Sequence, residues 1–122
     1  MSDAAEMRAW RVTAAGEPID VLEEATVPVT DPGPGQLRLR VSAAGIGLPD
    51  VLMCRGSYPL TPPLPFTPGQ DAAGVVTAVG EGVEREVGDR VMAVVGGGGQ
   101  AERAVVHESH LLALTPHPAL DL

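Results

Sequence analysis

The sequence predicts a mainly β fold, a Greek-key sandwich or partly open barrel with one short helix. Three observations carry this. The 15 Gly and 12 Pro of the 122 residues punctuate apolar runs without forming a low-complexity tract, the texture of short strands joined by turns. The runs show none of the strand–helix alternation that a doubly wound sheet requires. Residues 36–41 alternate polar and apolar side chains with the period of a half-buried strand.

Taken in order, residues 7–13 and 21–27 read as two strands forming a hairpin about a turn at 14–18 that contains Gly16 and Pro18. Asp31-Pro32-Gly33-Pro34-Gly35 is strong turn chemistry, and in the strand that follows Leu37, Leu39 and Val41 are expected inward with Arg38 and Arg40 outward. Residues 48–55 form the one helix: Pro49 is tolerated in its first turn, Asp50 lies near its positive end and Gly56 stops it. Five prolines between 56 and 70 impose a stiff extended loop. Strands follow at 72–79, 90–95 and 100–106, with Gly96 to Gly99 as a flexible turn, and 111–114 pairs last. The total is about seven or eight short strands and one helix, with no internal repeat.

Composition narrows function by exclusion. The net charge is −8 and no basic patch is present, so nucleic acid is not an expected partner. All eight cationic residues are Arg, which removes a P-loop lysine, a Schiff-base lysine and a lysine general base. The single cysteine, Cys54, forms no internal disulfide and supplies no Cys-rich zinc site. The acidic N-terminus and the lack of a long apolar run point to a cytoplasmic protein with no membrane partner.

Local motifs are mostly bland. Gly45-Ile46-Gly47 starts like a dinucleotide fingerprint, but Asp50 stands where Gly or Ala is needed and would repel a pyrophosphate. Gly96 to Gly99 lacks the Lys-Ser/Thr of a P-loop. His107 and His110 lie on opposite faces if the strand continues through them, and read as surface residues. Tyr58, the only tyrosine, either anchors the Pro-rich loop by packing or offers a proton and a hydrogen bond to a ligand.

Three stretches together resemble the N-terminal GroES-like catalytic domain of medium-chain dehydrogenases/reductases. They are Ala43-Ala44-Gly45-Ile46, the run from Pro65 through Gly69-Gln70-Asp71 to Val76, and Val87-Gly88-Asp89-Arg90-Val91. Gly98-Gly99-Gln100-Ala101-Glu102 and Leu114-Thr115-Pro116 resemble further landmarks of that family. The resemblance implies a partly open Greek-key β-barrel with one or two short helices. It also implies a flexible N-terminus over 1–6, the catalytic domain over 7–115, and at 116–122 the start of a linker to a Rossmann cofactor domain.

Where the zinc alcohol dehydrogenases carry Cys and His-Glu, this sequence has Gly47 and Gln70-Asp71, so the resemblance is to the zinc-independent quinone oxidoreductase branch. That branch implies hydride transfer from NADPH to a quinone or an α,β-unsaturated carbonyl, with no metal. Tyr58 matches a pocket Tyr and is the expected catalytic residue; Gly47, Leu52, Gln70 and Asp71 are the expected substrate pocket. Gly47 and Leu52 replace a pocket Asn and a second Tyr, which implies a roomier, more apolar pocket. NADPH is expected to be bound mainly by a domain outside this chain, and no cofactor-binding residue of this chain is identified. It should be inactive alone, need a Rossmann domain in cis or trans, and self-associate through uncovered apolar surface. The alternative is a stand-alone GroES-like binding or assembly module.

Overall fold

The computed structural model describes residues 6–113. The first sheet is a two-stranded hairpin of β1 (Glu6–Val12) and β2 (Leu22–Pro28), paired antiparallel from Glu6↔Pro28 to Val12↔Leu22. A helical turn that the sequence does not predict, α1 (Pro18–Val21), fills the connection. Its four residues are too few to show a helical period, and Pro18 at its first turn is the only local signal.

The second sheet curls into a half-barrel. It consists of β3 (Gln36–Ala44), β4 (Asp71–Val79), β5 (Arg90–Val94), β6 (Arg103–His107) and β7 (Leu111–Ala113), in the order β6-β3-β4-β5-β7, with every pair antiparallel. β3, β4 and β5 meander and β6 returns to lie beside β3, which is the Greek-key connection expected from the sequence. Bridges Ala9↔Ala101 and Val12↔Phe66 tie the hairpin to the segment before β6 and to the Pro-rich loop.

Two apolar clusters sit on these sheets. Leu37, Leu39, Val76, Val91, Ala93 and Val106 fill the inside of the half-barrel; Val12, Val21, Met53, Cys54 and Phe66 join the hairpin to α2 (Leu48–Arg55). Helix α2 has the bounds that its sequence signals set. Gly56 adopts a left-handed φ of 74°, and the amides of Gly56 and Ser57 bond the carbonyls of Met53 and Leu52, a Schellman stop.

Burial along β3 departs from the expected pattern at two residues. Arg38, expected outward, is only 4% exposed, and Val41, expected inward, is half-buried. The β3–β4 register shifts between Arg38 and Leu39, where Arg38 faces Ala78 and Leu39 faces Val76. The extra residue is Thr77 on β4, while the β3–β6 register runs unbroken, so Arg38 still points away from Leu37 and Leu39 and is buried instead against Thr77, Thr30 and Asp31. β6 ends at His107, one residue beyond the expected strand end, and does not continue to His110. His107 closes β6 and caps a 3₁₀ turn (Glu108–His110) through its Nδ1, which accepts from the Ser109 amide at 3.1 Å. The two imidazoles therefore stand with centroids 6.3 Å apart rather than on opposite faces of one strand.

Cys54 is buried in the second cluster, and its thiol is pushed above the ordinary range, first by desolvation and then by the Asp50 carboxylate. A thiol held up in the folded state leaves little thiolate at neutral pH. Iodoacetamide at pH 8 is expected to spare Cys54 in the native protein and label it fully in denaturant. Because the unfolded thiol ionises first, stability is full below the ordinary thiol pKa and declines as the pH rises past it.

Candidate functional site

The turn Gly45-Ile46-Gly47 leaves β3 and enters α2, while Gly69-Gln70-Asp71 leaves the Pro-rich loop and enters β4. β3 and β4 pair as far as Ala44↔Ala72, so the two turns emerge side by side. The Gly45 amide donates to the Asp71 carbonyl at 3.2 Å, and a Cβ at Gly45 would collide with the Asp71 carboxylate.

Asp50 joins the two turns from within the helix. It is 5% exposed; its Oδ2 accepts from the Gly47 amide at 2.9 Å and its Oδ1 from the Gly69 amide at 2.8 Å. One helical turn later the Gln70 amide nitrogen lies 3.6 Å from the Met53 sulfur. Gln100 is a further brace: its Nε2 donates to the Gly45 carbonyl at 3.3 Å and its backbone amide to the Pro68 carbonyl at 3.0 Å.

The glycine run closes against the same segment. The amides of Val95 and Gly96 donate to the Gln70 carbonyl, Gly98 to Thr67 and Gly99 to Gly69. The approach is close enough that a Cβ at Gly69, whose φ is 113°, would lie 2.6 Å from the Gln100 nitrogen. The run is thus a turn, as expected, but one whose amides are engaged by the site's second wall.

Two clefts flank residues 43 and 44. One, of about 460 Å³, has Trp10, Ile46 and Gln100 in its walls; the other, of about 470 Å³, is apolar apart from Asp71 at its mouth, with Met92, Val94 and Leu112 opposite. Of the residues expected from sequence, Gly47 and the Gly69-Gln70 turn are drawn together by Asp50, and Asp71 sits against Gly45. Leu52 is half-buried on α2, and Tyr58 packs half-buried against the second core cluster. Among the described residues no hydrogen bond joins either of those side chains to the bridge. Asp50 and Gln100 were not expected as site residues. The spacing of Gly47 and Asp50 carried a detectable signal, an acidic residue at the third helical position behind a cap. Gln100 stands in the Gly98–Glu102 landmark, but nothing local to it tells that its side chain reaches Gly45.

The donor set does not suit zinc. Gly47 has no donor atom and Gln70 presents a weak amide. Among the described residues no group of three or more His, Cys, Asp or Glu side chains is placed to hold a metal ion. Nor is a phosphate cradle built here: the amides of Gly47 and Gly69 already serve the Asp50 carboxylate, and most of the amides along Gly96–Gly99 serve carbonyls.

The family model described as "Alcohol dehydrogenase GroES-like domain" matches residues 33–116, well over half of the chain. The chain belongs to that family. This GroES-like domain is 60% identical over 62 residues to the synaptic vesicle membrane protein VAT-1 homolog of Mus musculus, covering 50% of the chain and 15% of that relative. It is 35% identical over 115 residues to quinone oxidoreductase-like protein 2 of Mus musculus, covering 93% of the chain and 32% of the relative. The solved structure of a mycobacterial protein complexed with NADPH superposes with a TM-score of 0.81 at 33% identity, over 89% of this chain and 34% of that one. The domain thus spans about a third or less of the length of these relatives. Among its described residues no helix is long and apolar enough to cross a membrane.

Proposed function

We propose that this GroES-like domain is the substrate side of a zinc-independent, NADPH-dependent oxidoreductase that reduces quinones or α,β-unsaturated carbonyls. The observation that carries the reading is the junction of Gly47 with Gln70-Asp71. It brings the two turns side by side but offers no metal donor set among the described residues, in a chain whose relatives include quinone oxidoreductase-like proteins. Because no phosphate cradle is built among the described residues, the dinucleotide is assigned to a Rossmann domain supplied in cis or in trans.

When bound, NADPH supplies a hydride, and the substrate takes up that hydride at carbon and a proton at oxygen. The chain's own residues orient the acceptor and keep water from it. The apolar cleft beside Asp71 suits the ring or carbon skeleton; Gly47, Leu52 and Gln70, which lie outside that cleft's walls, are assigned to the pocket's other side. Tyr58 is assigned the hydrogen bond to the substrate oxygen. The strip formed by Met92, Val94 and Leu112, each at least 38% exposed, supports self-association of the isolated domain. A cytoplasmic location is part of the proposal.

The test is NADPH oxidation with duroquinone, a fully substituted benzoquinone that does not alkylate thiols. The 122-residue chain alone is compared with the same chain supplied with a Rossmann domain, joined to it or added separately. The combination is expected to turn over and the chain alone not to. Tyr58→Phe in the combination is expected to lower turnover by about 100-fold. Light scattering of the chain alone should show mass rising with concentration. Normal turnover by the chain alone, or none by the combination with any quinone or enone, would sink the reading.

A further inference from the structure

Asp50 makes little sense as a helix cap alone. A cap needs one oxygen, at the helix N-terminus, and Oδ2 provides it for Gly47; the second oxygen reaches across to Gly69, nineteen residues along the chain and on the other wall of the site. Both amides are thereby aimed at a carboxylate that is 5% exposed, and neither is left to a ligand. Charge-assisted bonds to a buried carboxylate are short and directional, so they define the spacing of the groups they join. Gly69 immediately precedes Gln70, and Gly47 is itself an expected pocket residue. Other links between the walls, Gly45 to Asp71, Gln100 to Gly45 and Gln70 to the Met53 sulfur, are longer neutral contacts of 3.2, 3.3 and 3.6 Å.

We propose that Asp50 is the positioning residue of the site, a bidentate spacer that fixes the gap between the Gly47 wall and the Gln70 wall and with it the fit of the acceptor. The proposal rests on the functional reading above for the acceptor's chemistry and on the two bonds for the geometry. Asp50 touches no substrate; it acts through the two turns that do. Asparagine in its place keeps the shape but offers one acceptor and one donor, so one of the two amides faces another donor.

The experiment uses the 122-residue chain, amide hydrogen exchange by NMR, and titration with duroquinone. In Asp50→Asn, exchange at Gly47 or Gly69 is expected to rise about 10- to 100-fold, the range for losing a charge-assisted bond, while Leu37, Leu39 and Val91 keep their protection. Duroquinone shifts at Gln70 and Asp71 should weaken in the same variant, and Asp50→Glu, which restores two acceptors, should recover them. Unchanged exchange at both glycines overturns the proposal. So does a folded variant whose glycines are released but whose duroquinone shifts remain native. If Asp50→Asn does not fold, Asp50→Glu decides by the same two readings. A wild-type chain that shows no duroquinone shifts counts against the functional reading alone, and exchange at the two glycines still judges the spacer.

Discussion

Gly74→Ala is expected to cost about 3–5 kcal/mol, a large share of the 5–15 kcal/mol that holds a domain of this kind together. Gly74 is buried in β4 opposite Val41, beside the second register shift of the β3–β4 pair. A Cβ there would fall on the Arg40 carbonyl oxygen, with the Arg40 carbonyl carbon at 2.9 Å and the Val41 Cα at 3.1 Å. All three are backbone atoms of the neighbouring strand, so no rotamer change relieves the overlap. Overpacking alone costs about 1–3 kcal/mol. Parting the strands to make room forfeits ladder bonds at roughly 1 kcal/mol each. The control is Gly82→Ala, at φ 81° with nothing within 4 Å of the new methyl, which costs only the left-handed strain of about 1–2 kcal/mol. Urea midpoints of the two variants settle the matter; equal losses would mean that β3 and β4 accommodate the methyl without giving up their pairing.

That glycine shows how unevenly sequence discloses structure. Gly74 lies inside a run of small and β-branched residues that reads as a strand, and a glycine in a strand signals a bulge or a close approach without saying to what. Elements set by neighbours in sequence were legible. α2 runs from Leu48 to Arg55 because Pro49, Asp50 and Gly56 are all local signals, and the Greek-key order follows from strand lengths and turn chemistry. Features made by distant residues were not. The second bond of Asp50 and the Gln100 brace span 19 and 55 residues, and the burial of Arg38 depends on Thr77, the extra residue of β4, and on Thr30 and Asp31 before β3. Half of the candidate site was visible for the same reason. Gly47, Gln70 and Asp71 stand in recognisable motifs, whereas what holds them at a fixed separation is tertiary.

Arg38 carries the second large expectation. Its side chain is 5% exposed, its Nε donates to the Thr77 hydroxyl at 3.3 Å, and its Nη1 donates to the Thr30 carbonyl at 3.4 Å and to Asp31 Oδ1 at 3.1 Å. The Thr77 hydroxyl in turn donates to the Arg38 carbonyl, so side chain and backbone of Arg38 both hold β4. The Asp31 side chain is 93% exposed, which screens the ion pair and leaves it a minor contributor of under about 1 kcal/mol. What matters is the long side chain filling the space behind the bulge and its several donors anchoring the turn before β3. Arg38→Ala removes both and is expected to cost about 2–4 kcal/mol, from the cavity and the unpaired acceptors together. Asp31→Ala should cost less than about 1 kcal/mol, because Thr30 and Thr77 still engage the guanidinium and water replaces the carboxylate. Arg38→Lys restores the charge but not the fork, since one ammonium cannot reach toward Thr77 and Asp31 in the same way. It is therefore expected to stay nearer the alanine variant than wild type in thermal denaturation. If Asp31→Ala proved as damaging as Arg38→Ala, the ion pair would outweigh the packing, and charge rather than volume would be what keeps an arginine behind the bulge.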